Sequence, residues 1–300
     1  METSIFTDQR CIVPKEVLDS VKASQGVFFE KISKVTSQKI AEDLLNPLKA
    51  DKQAEVLQRY VDLTGKKVLE IGSGYGVNLI VWSKSFGIEG YGVEPEAQAF
   101  SASREISRKL YEINGLDPER ISLGEGESLP FPDESFDIVY STNVLEHVRD
   151  PEKVFSEGLR VLKKEGVLQF VFPNYHSYFD GHYAVFHPPV FFHSFFPWYV
   201  KNIHGLDPDF ADSLMTELNV KYTLKILKRL SAKFDFSLLS LGQEVFLERM
   251  LKGNFETWGG LVKIKACRDF VQKMPIFPVL ARLLIIFKAW TPIICTLKKE

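Results

Sequence analysis

Cysteine is scarce in this sequence and forms no pattern. The three cysteines, Cys11, Cys267 and Cys295, lie far apart in a chain of 300 residues. This spacing excludes a disulfide framework and a C-x-x-C metal motif, and it predicts a reducing compartment. The first 30 residues also lack the basic start and the continuous apolar core of a secretory signal. We therefore predict a cytoplasmic protein.

An imbalance of charge is absent as well. The chain carries 37 basic and 39 acidic residues, which gives a net charge of −2, and 45% of its residues are hydrophobic. This composition is typical of a globular protein, and the balanced charge argues against nucleic acid as a partner. The length suits one large domain with additions, or two modest domains. No pattern in the sequence indicates an oligomeric state.

A long uncharged apolar run is also missing. Residues 270–300 are strongly apolar, but Pro275, Pro278, Arg282, Lys288 and Pro292 interrupt them. A membrane span needs about 20 consecutive, largely uncharged apolar residues. We predict an apolar, basic C-terminal helix or tail instead. Its role has two open alternatives, which are peripheral contact with a membrane surface and packing on the domain or on a partner subunit.

Glycine is concentrated in one informative stretch, residues 67–76. Positions 68–71 have the β-branched and aliphatic character of a buried strand, and Gly72, Gly74 and Gly76 follow at alternate positions. If a helix begins near Val77, this turn brings backbone N–H groups to the carboxyl edge of a sheet, where no Cβ keeps a ligand away. The stretch is predicted to be a cofactor-binding loop.

Strand-like and helix-like patterns alternate through residues 61–269. Strands are predicted at 68–71, 88–94, 121–123, 136–140, 167–172, 234–241 and 259–266. Because parallel neighbours must be joined by crossovers, the alternation predicts an α/β fold with a doubly wound, mostly parallel, seven-stranded sheet. Residues 1–60 are predicted to form an N-terminal helical segment, which either covers a sheet edge or forms part of a substrate entrance.

Residues 174–215 interrupt this alternation as an insertion after the fifth strand, in which we expect no regular strand or helix. Five histidines fall here among many aromatic residues, at His176, His182, His187, His193 and His204. Their spacings of 6, 5, 6 and 11 residues fit no metal-ligand pattern, so no metal site is predicted. We interpret the insertion as an aromatic lid over the cofactor and an apolar acceptor pocket.

Acidic residues near the glycine loop narrow the choice of cofactor. A dinucleotide fingerprint, G-x-G-x-x-G, would need glycine where Val77 stands, and Glu70 would repel a pyrophosphate. Glu70 suits instead a cofactor that bears an ammonium and a sulfonium group. Glu94 ends the second strand, where a carboxylate can accept hydrogen bonds from both ribose hydroxyls. Past the third strand, Glu125 and Gly126 offer an acceptor and space for an adenine ring.

Residues 68–175 resemble the class I S-adenosylmethionine-dependent methyltransferases that share a Leu-Pro-Phe-x-Asp-x-x-Phe-Asp stretch. Here this stretch is 129–137, followed by Ile-Val-Tyr-Ser-Thr-Asn-Val-Leu-Glu-His at 138–147 and Leu-Arg-Val-Leu-Lys-Lys-Glu-Gly at 159–166. The resemblance implies a Rossmann-like methyltransferase fold with S-adenosylmethionine as its cofactor. It implies that Glu70 borders the methionine part, Glu94 holds the ribose and Glu125 flanks the adenine. The predicted cofactor set is Glu70, Gly72, Ser73, Gly74, Glu94, Pro95, Glu125, Gly126, Glu127, Ser141 and Asn143.

Methyl transfer to an alcohol or phenol calls for a base, and His147 is the leading candidate because it follows the fourth strand. The alternative is that the Glu-His pair at 146–147 only fixes the loop. His182 and Tyr183 are the second choice. We predict methyl transfer to a small-molecule acceptor, at oxygen, on a lipid-linked or glycan-linked substrate. The rival hypotheses are an NAD(P)-dependent oxidoreductase and a non-catalytic, methyltransferase-like binding protein.

Overall fold

A seven-stranded sheet lies at the centre of the chain. The computed structural model describes residues 4–33, 35–95, 102–187, 195–252 and 277–300. The strands of the large sheet are β1 (Lys67–Ile71), β2 (Glu89–Glu94), β3 (Ile121–Leu123), β4 (Phe136–Thr142), β5 (Leu162–Phe172), β8 (Phe236–Ser240) and β9 (Ile293–Lys299). Two short strands, β6 (Phe179–Asp180) and β7 (Val185–Phe186), form a separate antiparallel pair.

The order of strands in the sheet is β3-β2-β1-β4-β5-β9-β8. Neighbours from β3 to β5 are parallel, whereas β9 runs antiparallel to both β5 and β8. This confirms the predicted α/β fold with a mostly parallel seven-stranded sheet. A dinucleotide-binding sheet has its six strands in the order 3-2-1-4-5-6, without an antiparallel strand inserted after the fifth. The topology therefore disagrees with the dinucleotide alternative.

The last strand of the sheet corrects one prediction. Residues 259–266 lie outside the described residues, and the strand beside β5 is β9, within the segment predicted to be a helix or tail. Residues 293–297 are all buried, as is usual for a strand covered on both faces. Such a continuous apolar run looks alike in a buried helix and in a buried strand. The boundary at residue 269 was therefore set too early, because the sheet extends to residue 299.

Helices cover both faces of the sheet. They are α1 (Lys15–Val21), α2 (Val27–Ser33), α3 (Ser37–Leu44), α4 (Leu48–Leu57), α5 (Val77–Phe86), α6 (Ser103–Ile113), α7 (Pro151–Val161), α8 (Phe195–His204), α9 (Asp209–Asp212), α10 (Val220–Leu230), α11 (Gln243–Lys252) and α12 (Phe277–Ile286). A π-helical turn, Lys22–Gly26, joins α1 to α2. One core layer includes Trp82 and Leu110, and the other includes Phe155 and Phe170. The Trp82 indole N–H donates to the carbonyl of Ala50, which ties α4 to α5.

The insertion after β5 is more regular than its sequence suggests. Within 174–187 and 195–215 it forms the β6–β7 hairpin and helices α8 and α9, so the expectation of no regular structure was wrong. Its aromatic side chains build a small core of their own. Tyr183, Phe196 and Val200 are buried there together with Ile32 of α2. This core gives the short elements the burial that isolated hairpins and single helical turns lack.

Helix α12 packs on the domain by one face and exposes the other. Ala281 is buried, whereas Val279, Leu283, Ile286 and Phe287 are exposed, the last two at 69% and 74%. No helix among the described residues has both the length and the apolar character needed to cross a bilayer. One face of α12 thus packs on the domain, while its other face is apolar and exposed. The sequence had left membrane contact and packing on protein as alternatives for this segment.

Candidate active site

The glycine loop after β1 turns through left-handed backbone conformations. Gly72 has φ of +67°, and a Cβ at this position would lie 2.2 Å from Cγ2 of Val144. Its N–H and that of Ser73 both donate to the carbonyl of Val93, at 2.8 and 3.2 Å. Only glycine fits both the backbone angle and the close approach of Val144. The loop is thereby held against the end of β2, beside Glu94.

Glu94 lies at the end of β2 and faces the glycine loop. Its Oε2 accepts a 2.8 Å hydrogen bond from the N–H of Gly74, and only 4% of the residue is exposed. Burial raises the pKa of Glu94 to about 7, against the opposing effect of the Gly74 hydrogen bond. This carboxylate is placed where an acceptor for ribose hydroxyls was predicted.

Glu70 is a second buried carboxylate at the same loop. Its Oε1 accepts a 2.6 Å hydrogen bond from the side-chain amide of Asn78, whereas its Oε2 accepts none from the residues that the structure describes. Burial raises the pKa of Glu70 to about 8, and the nearby charge of Glu94 adds to the effect. Two buried acids at the same loop, each with a raised pKa, favour a cationic ligand. An ammonium-bearing and sulfonium-bearing cofactor fits this environment.

A cleft of about 600 Å³ opens beside these residues. This volume suits a small-molecule ligand site. Nine of the predicted site residues line it, namely Glu70, Gly72, Ser73, Gly74, Glu94, Pro95, Asn143, His147 and His182. The loops after β1, β2 and β4 therefore meet at one edge of the sheet, and the insertion contributes His182 to the same space.

Several predicted cofactor residues do not line this cleft in the described part of the chain. Glu127 Oε1 accepts hydrogen bonds from the N–H groups of Arg149 and Asp150, so it holds the turn before α7. The Ser141 hydroxyl donates to the carbonyl of Ile71, at 2.9 Å, and links β4 to β1. Both side chains stabilise the loops around the cleft. The sequence could place them at the correct edge but could not give their partners.

The loop between β3 and β4 differs from its predicted role in detail. Glu125 is exposed to solvent and forms an isolated bridge with Ser128. Gly126 is buried, and a Cβ there would lie 3.1 Å from Ile71 and 3.2 Å from Val154. A side chain at this position would therefore press against β1 and α7. Contact of Glu125 and Gly126 with an adenine ring stays a prediction.

Tyr183 is a correction to the predicted catalytic set. Its hydroxyl donates to the carbonyl of Asp207, at 2.8 Å, and accepts from the N–H of Ala211, at 2.9 Å. The residue is 1% exposed and belongs to the small core of the insertion. With both hydrogen-bonding functions of the hydroxyl satisfied by backbone groups, Tyr183 has a structural role.

A carboxylate–imidazole cluster lies beside the cleft and contributes His147 and His182 to its lining. His182 lies between two acids, with its Nε2 at 3.7 Å from Glu146 Oε1 and its Nδ1 at 3.8 Å from Asp180 Oδ2. The His147 ring lies edge-on to that of His182, with the ring centres 5.4 Å apart. Glu146 is fully buried and Asp180 is 1% exposed. We call these four residues, Asp180, Glu146, His147 and His182, the histidine cluster.

Mutual interactions set the charges in the histidine cluster. Burial lowers the pKa of His182, but the facing carboxylates of Asp180 and Glu146 outweigh burial and raise it overall. Burial raises the pKa of Glu146 to about 7. The His147 ring is accessible from the cleft, yet the surrounding protein atoms and the charge of His182 lower its pKa to about 3. The pKa values of the two histidines therefore move in opposite directions, that of His147 downward and that of His182 upward.

Other residues of the cleft were not found from the sequence. Gln25 and Phe29 from the N-terminal helical segment line it, and so do Lys49 and Gln53 of α4. This agrees with the alternative that the segment forms part of an entrance. Asn78, which fixes Glu70, is also new. Its position, eight residues after Glu70 and in the first turn of α5, is the signal that could have identified it.

Residues 129–137, the Leu-Pro-Phe-x-Asp-x-x-Phe-Asp stretch, do not line the cleft and have a structural function. Asp137 Oδ2 accepts from the N–H of Lys67, at 2.8 Å, and its Oδ1 accepts from Lys163 Nζ, at 2.9 Å. Arg160 donates to the carbonyls of Leu129 and Phe131. These contacts fix the start of β1 against β4 and anchor the loop before β4.

The sheet order, the glycine loop after β1 and the acid at the end of β2 together define a class I S-adenosylmethionine-dependent methyltransferase domain. Residues 69–170 match the family model described as a methyltransferase domain. The cofactor of the class is S-adenosylmethionine. This confirms the class and the cofactor that the sequence predicted.

Curated relatives are similar to part of the chain. A phosphatidylethanolamine N-methyltransferase of Cereibacter sphaeroides is 33% identical over 113 residues, which are 37% of this chain and 53% of the relative. An uncharacterized methyltransferase of Mycobacterium sp. (strain KMS) is 33% identical over 118 residues, 39% of this chain and 43% of the relative. The chain thus spans about half the length of these relatives.

A solved structure extends the similarity to most of the fold. It is a putative sarcosine dimethylglycine methyltransferase from Galdieria sulphuraria, with a TM-score of 0.51 and 18% sequence identity. The match covers 84% of this chain and 86% of that one. At this identity the likeness shows the fold alone.

Proposed function

We propose that this chain is an enzyme that transfers the methyl group of S-adenosylmethionine to a hydroxyl oxygen of a small molecule. The observation that carries the proposal is the position of the histidine cluster. His147 and His182 line the same cleft as Glu70 and Glu94. One cleft therefore holds acids that suit a cationic cofactor and groups that suit the activation of an acceptor.

The cofactor end of the cleft has the residues that the reaction needs. When bound, S-adenosylmethionine supplies a methyl carbon on a positive sulfur, so the carbon–sulfur bond breaks as the oxygen–carbon bond forms and the electron pair stays on sulfur. Glu70 would neutralise the ammonium group of the methionine part through its unpaired Oε2. Glu94 would accept the ribose hydroxyls. The enzyme then has mainly to align the acceptor and exclude water.

The acceptor end favours a hydroxyl. An alcohol or phenol has to lose its proton as the new bond forms, and the enzyme must either receive that proton or lower its pKa. His147 follows β4, and both His147 and His182 line the cleft, so their imidazole groups are the candidates for this step. Asn143, in the left-handed conformation with φ of +54°, lines the cleft in the same turn.

A nitrogen acceptor is the second candidate, and the names of the relatives favour it. The relative from Cereibacter sphaeroides is named a phosphatidylethanolamine N-methyltransferase. Incubation of the protein with cell extract and isotopically labelled methyl donor, followed by tandem mass spectrometry of labelled products, distinguishes the two. An O-methyl product supports the proposal, an N-methyl product overturns its oxygen assignment, and no labelled product favours the non-catalytic alternative.

Calorimetric titration tests the cofactor directly. We expect the wild-type chain to bind S-adenosylmethionine and S-adenosylhomocysteine, and not to bind NADH. The replacement Glu94→Gln should weaken both interactions, while Glu112→Gln, at an exposed acid of α6 that does not line the cleft, serves as the matched control. Binding of NADH without binding of S-adenosylmethionine would support the oxidoreductase hypothesis.

We also propose that the chain makes peripheral contact with an anionic membrane surface, which would suit an acceptor linked to a lipid or a lipid-carried glycan. The exposed face of α12 supports this, because Ile286 and Phe287 project from it beside Arg282 and Lys288, which are also exposed. Apolar side chains flanked by basic ones are typical of interfacial helices.

Flotation with vesicles that contain phosphatidylglycerol tests this contact. We expect the double substitution Ile286→Glu and Phe287→Glu to abolish flotation, and Leu48→Glu, at another exposed apolar residue, to retain it. Deleting residues 270–300 would be a poor test, since it removes β9 from the sheet. If the wild-type protein does not float and instead dimerises through the exposed face of α12, this face binds a second copy of the chain and not a membrane.

A further inference from the structure

We propose that Glu146, His147 and His182 bind a divalent transition-metal ion at the acceptor end of the cleft. Its role in activating a hydroxyl rests on the proposed methyl transfer to oxygen. The sequence predicted no metal because the spacing of the insertion histidines was compared only within the insertion. The fold instead brings His182 to the Glu-His pair that follows β4, 35 residues earlier in the chain.

The donor atoms of the three residues lie close to one another, and one pair has the spacing of two ligands of one ion. One donor atom from each of the three residues lies within 4.8 Å of the others. Glu146 Oε1 and His182 Nε2 are 3.7 Å apart, too far for a hydrogen bond. Two ligands bound at about 2.1 Å to one ion lie roughly 3.5 Å apart at tetrahedral or wider angles. The separation that is unsuitable for a direct hydrogen bond is therefore suitable for a shared ion.

Burial without hydrogen bonds is the independent observation. Glu146 is fully buried, yet neither carboxylate oxygen accepts a hydrogen bond within the described part of the chain. Asp180 Oδ2 and His182 Nδ1 are likewise buried without a hydrogen-bond partner among the described residues. Buried polar atoms are almost always satisfied by protein, water or an ion. A cation between Glu146 and His182 Nε2 would compensate the charge of the buried Glu146 carboxylate.

The second nitrogen of His182 faces a carboxylate, the group to which metal-bound histidines usually donate, but at a separation longer than a hydrogen bond. With Nε2 facing Glu146, Nδ1 faces Asp180 Oδ2 at 3.8 Å. A carboxylate on the outer nitrogen fixes the tautomer of a metal-bound imidazole and raises its basicity. Asp180 is itself fixed, because its Oδ1 accepts a 2.8 Å hydrogen bond from the N–H of Tyr183. Asp180 is thus a positioning residue for His182.

The ligand set indicates the class of metal. One carboxylate and two imidazoles suit zinc, cobalt, iron or manganese better than magnesium or calcium, which prefer oxygen ligands throughout. Three protein ligands leave at least one coordination position for the acceptor. A hydroxyl bound there has a lowered pKa, so its proton leaves to water in the cleft and the oxygen attacks the methyl carbon. The ion is not oxidised or reduced.

Cobalt titration tests the site, because Co²⁺ in a carboxylate–imidazole site absorbs visible light. We expect the full chain to bind one Co²⁺ per molecule by absorption and equilibrium dialysis, and Zn²⁺ to displace it. Glu146→Gln and His182→Gln should each weaken binding at least 10-fold, and Asp180→Asn by about 10- to 100-fold. His176→Ala, which removes an exposed histidine of the same insertion, should leave binding unchanged.

A second measurement keeps folding and function separate from metal binding. Each variant is titrated with S-adenosylhomocysteine, and a retained affinity shows that the cofactor site is still folded. Absence of stoichiometric Co²⁺ binding to wild type, or equal binding by Glu146→Gln, overturns the metal site. Full methyl transfer by metal-stripped enzyme in the presence of a chelator also overturns it while the proposed function stands. Stoichiometric Co²⁺ binding without any cofactor binding supports the metal site and refutes the proposed function.

Discussion

Replacing Glu70 by glutamine is expected to stabilise the cofactor-free protein and to weaken its binding of cofactor. The residue is 1% exposed and its pKa is raised from 4.5 to about 8, first by burial and then by the charge of Glu94. Between these two pH values the unfolded chain is ionised at this position while the folded chain holds a proton. Stability therefore falls as pH rises from 4.5 to 8, and glutamine removes that loss.

The magnitude follows from the difference in pKa. About 3.5 pH units at about 1.4 kcal/mol per unit give a loss of about 5 kcal/mol above pH 9. The corresponding values are about 3 kcal/mol at pH 7 and about 1 kcal/mol at pH 5.5. Glutamine keeps the shape of the protonated acid, and its amide oxygen can still accept from Asn78. The free energy of unfolding of Glu70→Gln should thus exceed that of wild type by a margin that widens with pH.

Urea denaturation at pH 5.5, 7 and 8.5 measures this margin. Glu125→Gln is the control, because Glu125 is exposed and its replacement should leave the free energy of unfolding within about 0.5 kcal/mol of wild type. In calorimetry Glu70→Gln should bind S-adenosylmethionine at least 10-fold more weakly, as expected for the loss of a charged partner. A variant that is less stable at every pH, or a margin that does not change with pH, would refute the reasoning.

Three further substitutions test a cofactor-binding residue and two residues that support the site. Glu94→Gln should weaken S-adenosylhomocysteine binding about 10-fold in calorimetry, and equal affinity would exclude a contact with the ribose. Gly72→Ala should lower the free energy of unfolding in urea by about 2–4 kcal/mol, because its Cβ would lie 2.2 Å from Val144 at φ of +67°; wild-type stability would show that the loop can shift. Burial alone would raise the pKa of Asp137, but the Lys67 N–H and Lys163 lower it overall. The ionised Asp137 side chain therefore stabilises the folded protein above pH 4, and this stabilisation is lost as pH falls. Asp137→Asn should therefore cost roughly 1 kcal/mol at pH 7, after allowance for solvent screening, and nothing near pH 3; a pH-independent cost would contradict this.

Local patterns predicted the first five strands and much of the cofactor site. Glycines at alternate positions can serve only a tight turn, and Glu94 follows a strand whose neighbours are set by the right-handed crossover rule. These signals depend on a few adjacent residues and on general rules of topology. For this reason Glu70, Gly72, Gly74 and Glu94 were found from the sequence and do line the cleft.

Long-range juxtapositions were not predictable in this way. His182 and Glu146 meet only because the β6–β7 hairpin folds back over the end of β4. Spacing between histidines carries no information about such a contact. Tyr183 is the opposite case. Because it follows a candidate histidine in the sequence, it was predicted to be catalytic, whereas its hydroxyl bonds to backbone groups of residues 207 and 211.

The position of β9 has a consequence for how the chain folds. Its partner β5 is complete about 120 residues earlier in the chain, and β8, which is made in between, pairs in the described sheet only with β9. During synthesis, the open edge of β5, which includes Phe170 and Phe172, must therefore wait for a distant strand. Closing so long a loop is slow, and an unpaired apolar edge invites association with other chains. We expect refolding to be limited by the docking of β9 and to depend on chaperones or low concentration.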